Sequence, residues 1–343
     1  MILDKKLNSL LDIDQLSKKD ILYIFEFAEK LSSILNNPVK KVPVLRGKTI
    51  INYFSEPSTR TRVSFENAGK ILSADVINVS SSGSSDEKGE SFINTVQTLE
   101  AIGADILIVR HSDSGAPYFV SRNIGIPVIN AGDGSHAHPT QTLIDLYTVY
   151  KSIGNIEGLN LTILGDNIHS RVSRSAVLGF STMGAKVTFC SPTTMNANFL
   201  SENVSNEDIK NYHSVTYTSD IKAALSDSDL IMTLRTQFER KTSLIFPNIN
   251  EYTRLFKLTN ESLKYAPDKA KILHPGPMNL GVEIDGYVSE SEKSLINQQV
   301  INSVAIRMSL LIILIAGASA LIKFSGEDDQ ISVIAEIVEK RDV

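Results

Sequence analysis

Ser55-Glu56-Pro57-Ser58-Thr59-Arg60-Thr61-Arg62-Val63-Ser64-Phe65-Glu66 is the stretch on which the reading of this chain turns. An apolar run, Thr49 to Phe54, enters it, and apolar residues at helical spacing, Phe65, Ala68, Ile71 and Leu72, leave it. The pattern is a strand that turns directly into a helix. The first turn of a helix presents unpaired backbone N–H groups, and its dipole favours negative charge there. Ser58, Thr59 and Thr61 add hydroxyl donors, and Arg60 adds a planar fork suited to phosphate or carboxylate oxygens. Two readings are open at this point: an anion cradle, or a helix capped by Ser58 or Thr59 with two solvated arginines. The glycine-rich phosphate-loop signatures are missing, so a nucleotide is not the expected anion.

The bulk numbers narrow the setting. A chain of 343 residues is too long for one simple core and implies two domains. A formal net charge of -5 argues against nucleic-acid binding and makes any cluster of arginines more informative. Cys190, the only cysteine, excludes an internal disulfide or a cysteine zinc site and suits a reducing cytoplasm. It lies in Lys186-Val187-Thr188-Phe189-Cys190, a buried-strand pattern, and reads as a packed thiol rather than a nucleophile. No signal-peptide segment opens the sequence. The apolar run Met308 to Ile322 is shorter than the ~20 residues of a membrane span and reads as a helix buried between domains.

Outward from the first motif, strands alternate with helices. Ser17 caps a helix with apolar positions Ile21, Leu22, Phe25, Ala28, Leu31 and Leu35. After the Arg60 helix come strands at Ala74 to Val79, at Asp105 to Val109 (delivering Arg110 and His111) and at Ile126 to Asn130 (delivering Ala131-Gly132-Asp133-Gly134). The Ser/Gly-rich stretch from Ser80 to Ser91 reads either as a linker or as a lid. His138-Pro139-Thr140-Gln141 opens a helix whose apolar face is Leu143, Ile144, Leu146 and Tyr147. A domain boundary is expected near Gly154. Strands at Leu161 to Leu164, Lys186 to Cys190 and Leu230 to Met232 follow, then the turn at Ile272 to Pro277. A helix from Val304 to Ile322 is expected to return to the first domain, and Ile331, Ile334 and Ile337 suggest a short amphipathic helix at the C-terminus. Such alternation implies parallel sheets, with ligands beyond the strands' carboxyl ends. Gly165-Asp166 lacks the full dinucleotide fingerprint. His138, His169 and His274 sit on separate elements, so no metal site is expected.

Taken in order, Ser58 to Arg62, Lys88-Gly89-Glu90, Arg110-His111, Ala131 to Gly134, His138 to Gln141, His169-Ser170-Arg171, Arg235-Thr236-Gln237 and His274 to Pro277 resemble the aspartate and ornithine carbamoyltransferases over nearly the whole chain. The resemblance implies an α/β fold of two doubly wound parallel-sheet domains joined by helices. A carbamoyl-phosphate-binding domain would take residues 1–150 with a returning helix in 303–343, and an aspartate-binding domain 151–302. The branch is implied as well. Ornithine carbamoyltransferases carry a cysteine where Thr140 stands, a His-Cys-Leu-Pro segment where His274-Pro275-Gly276-Pro277 stands, and a Ser-Met-Gly loop that is absent here.

What the resemblance implies for function is transfer of the carbamoyl group of carbamoyl phosphate to the amino group of L-aspartate, without metal or cofactor. Ser58, Thr59, Arg60, Thr61 and Arg110 would hold the phosphate. Arg60, Thr61 and His138 would face the carbonyl oxygen, and Gln141 with the carbonyls of Gly276 and Pro277 the carbamoyl nitrogen. Arg171, Arg235 and Gln237 would hold the aspartate carboxylates, and Lys88, catalytic and aspartate-binding, would reach into a neighbouring subunit's site. A homotrimer with shared active sites is implied, open to regulatory chains, with the sites in clefts between domains. The rival class is a catalytically silent relative serving as a scaffold, against which the retained arginines speak. One departure stands out: Leu280 follows Met278-Asn279 where many relatives carry arginine.

Overall fold

The computed structural model describes residues 7–80, 91–195, 215–236 and 249–316, and the backbone of 321–325 and 332–336. The chain divides into two compact units, Met1–Thr140 with Asn302–Val343, and Gln141–Ile301.

In the first unit, helix α1 (Lys18–Ser32) begins at Ser17, whose hydroxyl accepts from the Asp20 N–H while Asp20 accepts from the Ser17 backbone. This reciprocal cap satisfies two N–H groups that the first turn leaves unpaired. Strands β1 (Thr49–Phe54), β2 (Asp75–Ser80), β3 (Ile106–His111) and β4 (Val128–Asp133) form one parallel sheet in the order β2-β1-β3-β4. Helices α2 (Thr59–Ile71), α3 (Phe92–Ala101) and α4 (Ala116–Asn123) supply the crossovers. Ile51, Tyr53, Leu107, Val109 and Val128 pack with Val96 and Val120 into one core. The inner strands β1 and β3 are buried on both faces over most of their length, as parallel strands covered by helices must be, whereas the edge strand β2 is largely exposed.

Helix α5 (Pro139–Ile153) carries the chain into the second unit. There β5 (Asn160–Leu164), β6 (Lys186–Cys190), β7 (Val215–Thr218), β8 (Leu230–Thr233) and β9 (Lys271–Leu273) form a second parallel sheet, ordered β7-β6-β5-β8-β9. Among the described residues, helix α6 (Arg171–Thr182) and four short helices, α7 (Ile221–Leu225), α8 (Ile249–Phe256), α9 (Asn260–Leu263) and α10 (Gly286–Ser289), accompany it. Leu164, Cys190, Leu225, Ile231, Tyr252 and Ile272 share its core. Burial pushes the Cys190 thiol up to about 12, which keeps it protonated and inert. Strand β7, with three polar residues in four, carries no apolar signal and escapes the sequence reading.

Three expectations near the C-terminus require correction. The returning helix, α11, runs Ile296–Ala316 rather than Val304 to Ile322. Its first turns include Asn297, Gln298 and Gln299, which an apolar reading passes over; Gln299 is nonetheless buried, its amide oxygen accepting the His274 N–H and its amide nitrogen donating to Asp145. Leu321 and Ile322 belong instead to strand β10 (Leu321–Ser325). The short amphipathic helix is replaced by strand β11 (Ser332–Glu336), antiparallel to β10 with Phe324 opposite Val333. Adjacent β-branched Val333 and Ile334 favour an extended backbone. By length and composition α11 could cross a membrane, but 67% of its most apolar window is buried in protein, as a core helix requires.

Candidate active site

Each sheet has a point where the strand order reverses: between β1 and β3 in the first, between β5 and β8 in the second. Crevices beyond the carboxyl ends of strands at such points are where open α/β sheets bind ligands. Several of the predicted residues that are described follow strands beside these points.

In the first unit, Ser58 caps α2 with extended backbone and accepts the Thr61 N–H at 3.4 Å. The capped-helix reading and the cradle reading therefore describe the same turn: Thr59, Arg60 and Thr61 form the helix start, with Arg60 exposed and Thr61 buried. Phe54 pairs with Arg110 across β1 and β3, and the Ser55 N–H donates to the Arg110 carbonyl at 3.0 Å, so the two strand ends bring the cradle and Arg110 together. The Arg110 guanidinium is held by the Ala131 carbonyl at 3.1 Å and by Glu56, 3.3 Å away. Glu56 was not singled out in the sequence, although it lies inside the decisive motif.

His138 follows the end of β4. Its approach is shaped by Asp133, a fully buried carboxylate that accepts from the N–H groups of Gly115 at 2.6 Å and Ala137 at 3.1 Å and from the Asn130 amide at 2.8 Å. Burial opposes the charge on Asp133, yet hydrogen bonds from His136, Asn130 and Gly115 outweigh it and hold the carboxyl below its usual range. The His138 ring is buried, with Nδ1 3.5 Å from the Thr140 hydroxyl. Cradle, Arg110 and His138 thus follow three neighbouring strands of one sheet.

In the second unit, Gly165 ends β5 with φ +129, and a Cβ there would meet the Leu234 carbonyl and the Tyr252 hydroxyl at 3.0 Å. Glycine lets the β5 and β8 ends approach this closely. Arg171 is the first residue of α6 behind a Ser170 cap and is 4% exposed, while Arg235 follows β8 and is half-buried. Two cations therefore flank the second reversal point, spaced by fixed elements, an arrangement suited to a small dianion. The turn after β9 contains Gly276-Pro277 in the cis form. Gln141, on α5, donates to Asp145 at 2.7 Å. Asp145, Gln299 and Glu283 partner site residues through hydrogen bonds that no sequence pattern signalled. Lys88 and Gln237 lie outside the described residues. Among the described residues no group of histidine, cysteine, aspartate and glutamate could hold a metal ion.

Residues 8–151 match the carbamoyl-P binding domain of aspartate/ornithine carbamoyltransferase, and residues 157–314 match the Asp/Orn binding domain of the same enzymes. The aspartate carbamoyltransferase catalytic subunit of Roseiflexus castenholzii is 50% identical over 303 residues, which are 88% of this chain and 93% of that one. The chain belongs to the aspartate/ornithine carbamoyltransferase family. The catalytic subunit of Dehalococcoides mccartyi aspartate carbamoyltransferase is 48% identical over 300 residues, 88% of this chain and 89% of that one. The solved catalytic subunit of M. jannaschii aspartate transcarbamoylase superposes with a TM-score of 0.78 at 32% identity, covering 90% of this chain and 98% of that one. Ser58 to Thr61, Arg110, His138 and Gln141 fall within the carbamoyl-P match, and Arg171, Arg235 and the Gly276-Pro277 turn within the Asp/Orn match.

Proposed function

We propose that this carbamoyltransferase moves the carbamoyl group of carbamoyl phosphate onto the α-amino group of L-aspartate, an early step of de novo pyrimidine synthesis. The amine nitrogen attacks the carbonyl carbon, the carbon–oxygen bond to phosphate breaks, and N-carbamoyl-L-aspartate and phosphate leave. The amine loses a proton, which the departing phosphate accepts.

The observation that supports this reading is the pair Arg171, at the start of the helix that follows β5, and Arg235, just beyond β8, after the two strands that flank the second sheet's reversal point. Two guanidinium groups suit the two carboxylates of aspartate; ornithine would bring a side-chain cation instead. Ser58, Thr59, Arg60, Thr61 and Arg110 bind the phosphate. Arg60, Thr61 and His138 stabilise the oxygen that becomes negative as the amine attacks. Removing one such donor typically costs about 3–4 kcal/mol of barrier. Gln141, Gly276 and Pro277 receive the carbamoyl N–H groups, and Gln237 assists Arg171 and Arg235 at the carboxylates.

Lys88 acts in a neighbouring subunit's site of a homotrimer, in the reducing cytoplasm that a single buried cysteine suits. Mixing dissociated Arg60→Ala and Lys88→Ala trimers tests this sharing: hybrids recover activity if one intact site forms across two chains, and stay inactive if Lys88 acts in its own chain. The activity itself is tested by supplying carbamoyl phosphate with aspartate, ornithine and other amines in parallel. N-carbamoyl-L-aspartate is the expected dominant product, and preference for ornithine overturns the reading.

A further inference from the structure

Asp145 is fully buried, and one of its oxygens, Oδ1, accepts from two glutamine amides at once. Gln141 Nε2 donates to it at 2.7 Å from one turn earlier on α5, and Gln299 Nε2 donates at 2.7 Å from α11. An ionised carboxylate only accepts, so each glutamine must turn its NH₂ toward Asp145 and its carbonyl oxygen away. For Gln299 the consequence is visible: its Oε1 accepts the His274 backbone N–H at 3.0 Å.

From His274 the chain of hydrogen bonds continues. Its Nδ1 accepts the Gly276 N–H at 2.8 Å, which leaves the ring proton on Nε2, 3.2 Å from Glu283 Oε1. The same Glu283 oxygen accepts the Asn279 N–H at 2.6 Å. His274, Glu283 and Gln299 are each at most 3% exposed. One network of hydrogen bonds thus runs from Gln141 to His274 and Gly276 in the His274-Pro275-Gly276-Pro277 turn and to Asn279 beyond it.

We propose that Asp145 is a positioning residue that fixes which end of the Gln141 amide faces substrate and, through Gln299, braces the turn, so that the carbamoyl nitrogen meets acceptors only. The inference rests on the reading that Gln141 and the Gly276 and Pro277 carbonyls receive that nitrogen. The chemistry requires such a device. The carbamoyl NH₂ offers two donors, and its lone pair is delocalised into the carbonyl. An inverted glutamine would oppose donor to donor. Left alone, a glutamine amide gains little by choosing between its two orientations; beside a carboxylate it has one. The result is discrimination of carbamoyl phosphate from acyl phosphates of the same shape that lack the N–H groups.

Acetyl phosphate, with methyl in place of NH₂, is the probe. Dissociation constants for carbamoyl phosphate and acetyl phosphate are compared in the full chain and in Asp145→Asn, Gln141→Leu and Gln299→Met. Asparagine has the shape of aspartate but carries donors of its own and lets Gln141 invert. Asp145→Asn is expected to weaken carbamoyl phosphate about 10- to 100-fold and acetyl phosphate less than about threefold, as loss of correctly paired hydrogen bonds on one ligand alone would give. Gln141→Leu should show the same selective loss. Equal weakening of both ligands by Asp145→Asn would reduce Asp145 to a structural residue and overturn the proposal. If Gln141→Leu loses the preference and Asp145→Asn keeps it, the proposal fails while the role of Gln141 stands. If Gln141→Leu keeps the preference, the role of Gln141 fails and the proposal with it. Should Asp145→Asn not fold, Gln299→Met, which frees the His274 N–H, must show a smaller loss confined to carbamoyl phosphate; an unselective loss overturns the inference.

Discussion

Arg307 Nη1 donates to the hydroxyl of Ser64, a residue 243 positions earlier in the chain. The same hydroxyl lies 2.6 Å from the Arg60 carbonyl, and the Arg307 guanidinium stacks 4.7 Å from the centre of the Phe65 ring. A cation from α11 thus holds the first turns of α2, where the proposed phosphate cradle sits. Arg307 is 2% exposed, so its charge depends on these partners. Arg307→Met should lower stability in urea by about 2–4 kcal/mol and weaken carbamoyl phosphate binding, whereas Ser64→Ala should cost about 1 kcal/mol. Unchanged urea midpoints would show that this contact does not anchor α2.

Asp12 makes stability depend on pH. Burial, aided by Asp14, raises its carboxyl to about 6 against the opposing Ile13 N–H and His136. The unfolded chain titrates this group near 3.8. Between those values the folded state binds more protons, so stability falls as pH rises through the window and stays lower above it. Asp12→Asn keeps the cap on Ile13 without the buried charge. The variant should gain about 1–3 kcal/mol at about pH 7.5 and nothing at about pH 4, read from urea melts at both.

Cys190 offers a simple check on the second core. With its thiol pushed up to about 12 and fully buried, it should resist iodoacetamide in the folded chain and react only in urea. Modification at the rate of a free thiol would place β6 elsewhere.

Leu280 is 57% exposed. Leu280→Arg should therefore change stability by less than about 0.5 kcal/mol in urea melts. A larger loss would show that the leucine packs against a surface.

How much of this was legible in the sequence depends on whether the signal was local. Ser58 declared its cap, and the apolar runs ending at Phe54, Val109 and Leu164 declared strands, because burial on both faces leaves an uninterrupted pattern. Strand β7 has no such pattern and was invisible. Asp145 and Gln299 look like solvated polar residues on helices until the fold brings them together across 154 positions. Glu56 lies inside the decisive stretch, but its pairing with Arg110 depends on the β1–β3 register, which no single strand encodes. The C-terminal isoleucines are spaced as on a helix, but over so few residues periodicity alone does not decide.

On the proposed function, the second unit's Arg171 and Arg235 grip the dicarboxylate, whereas the phosphate of carbamoyl phosphate is held by Ser58 to Thr61 and Arg110 of the first unit. Steady-state kinetics of Arg171→Ala with both substrates varied tests this central claim most directly. Loss of a bidentate charged contact should raise the aspartate KM about 30- to 1000-fold, with carbamoyl phosphate affinity held within about twofold. An unchanged aspartate KM, or an equal loss for both substrates, would contradict it.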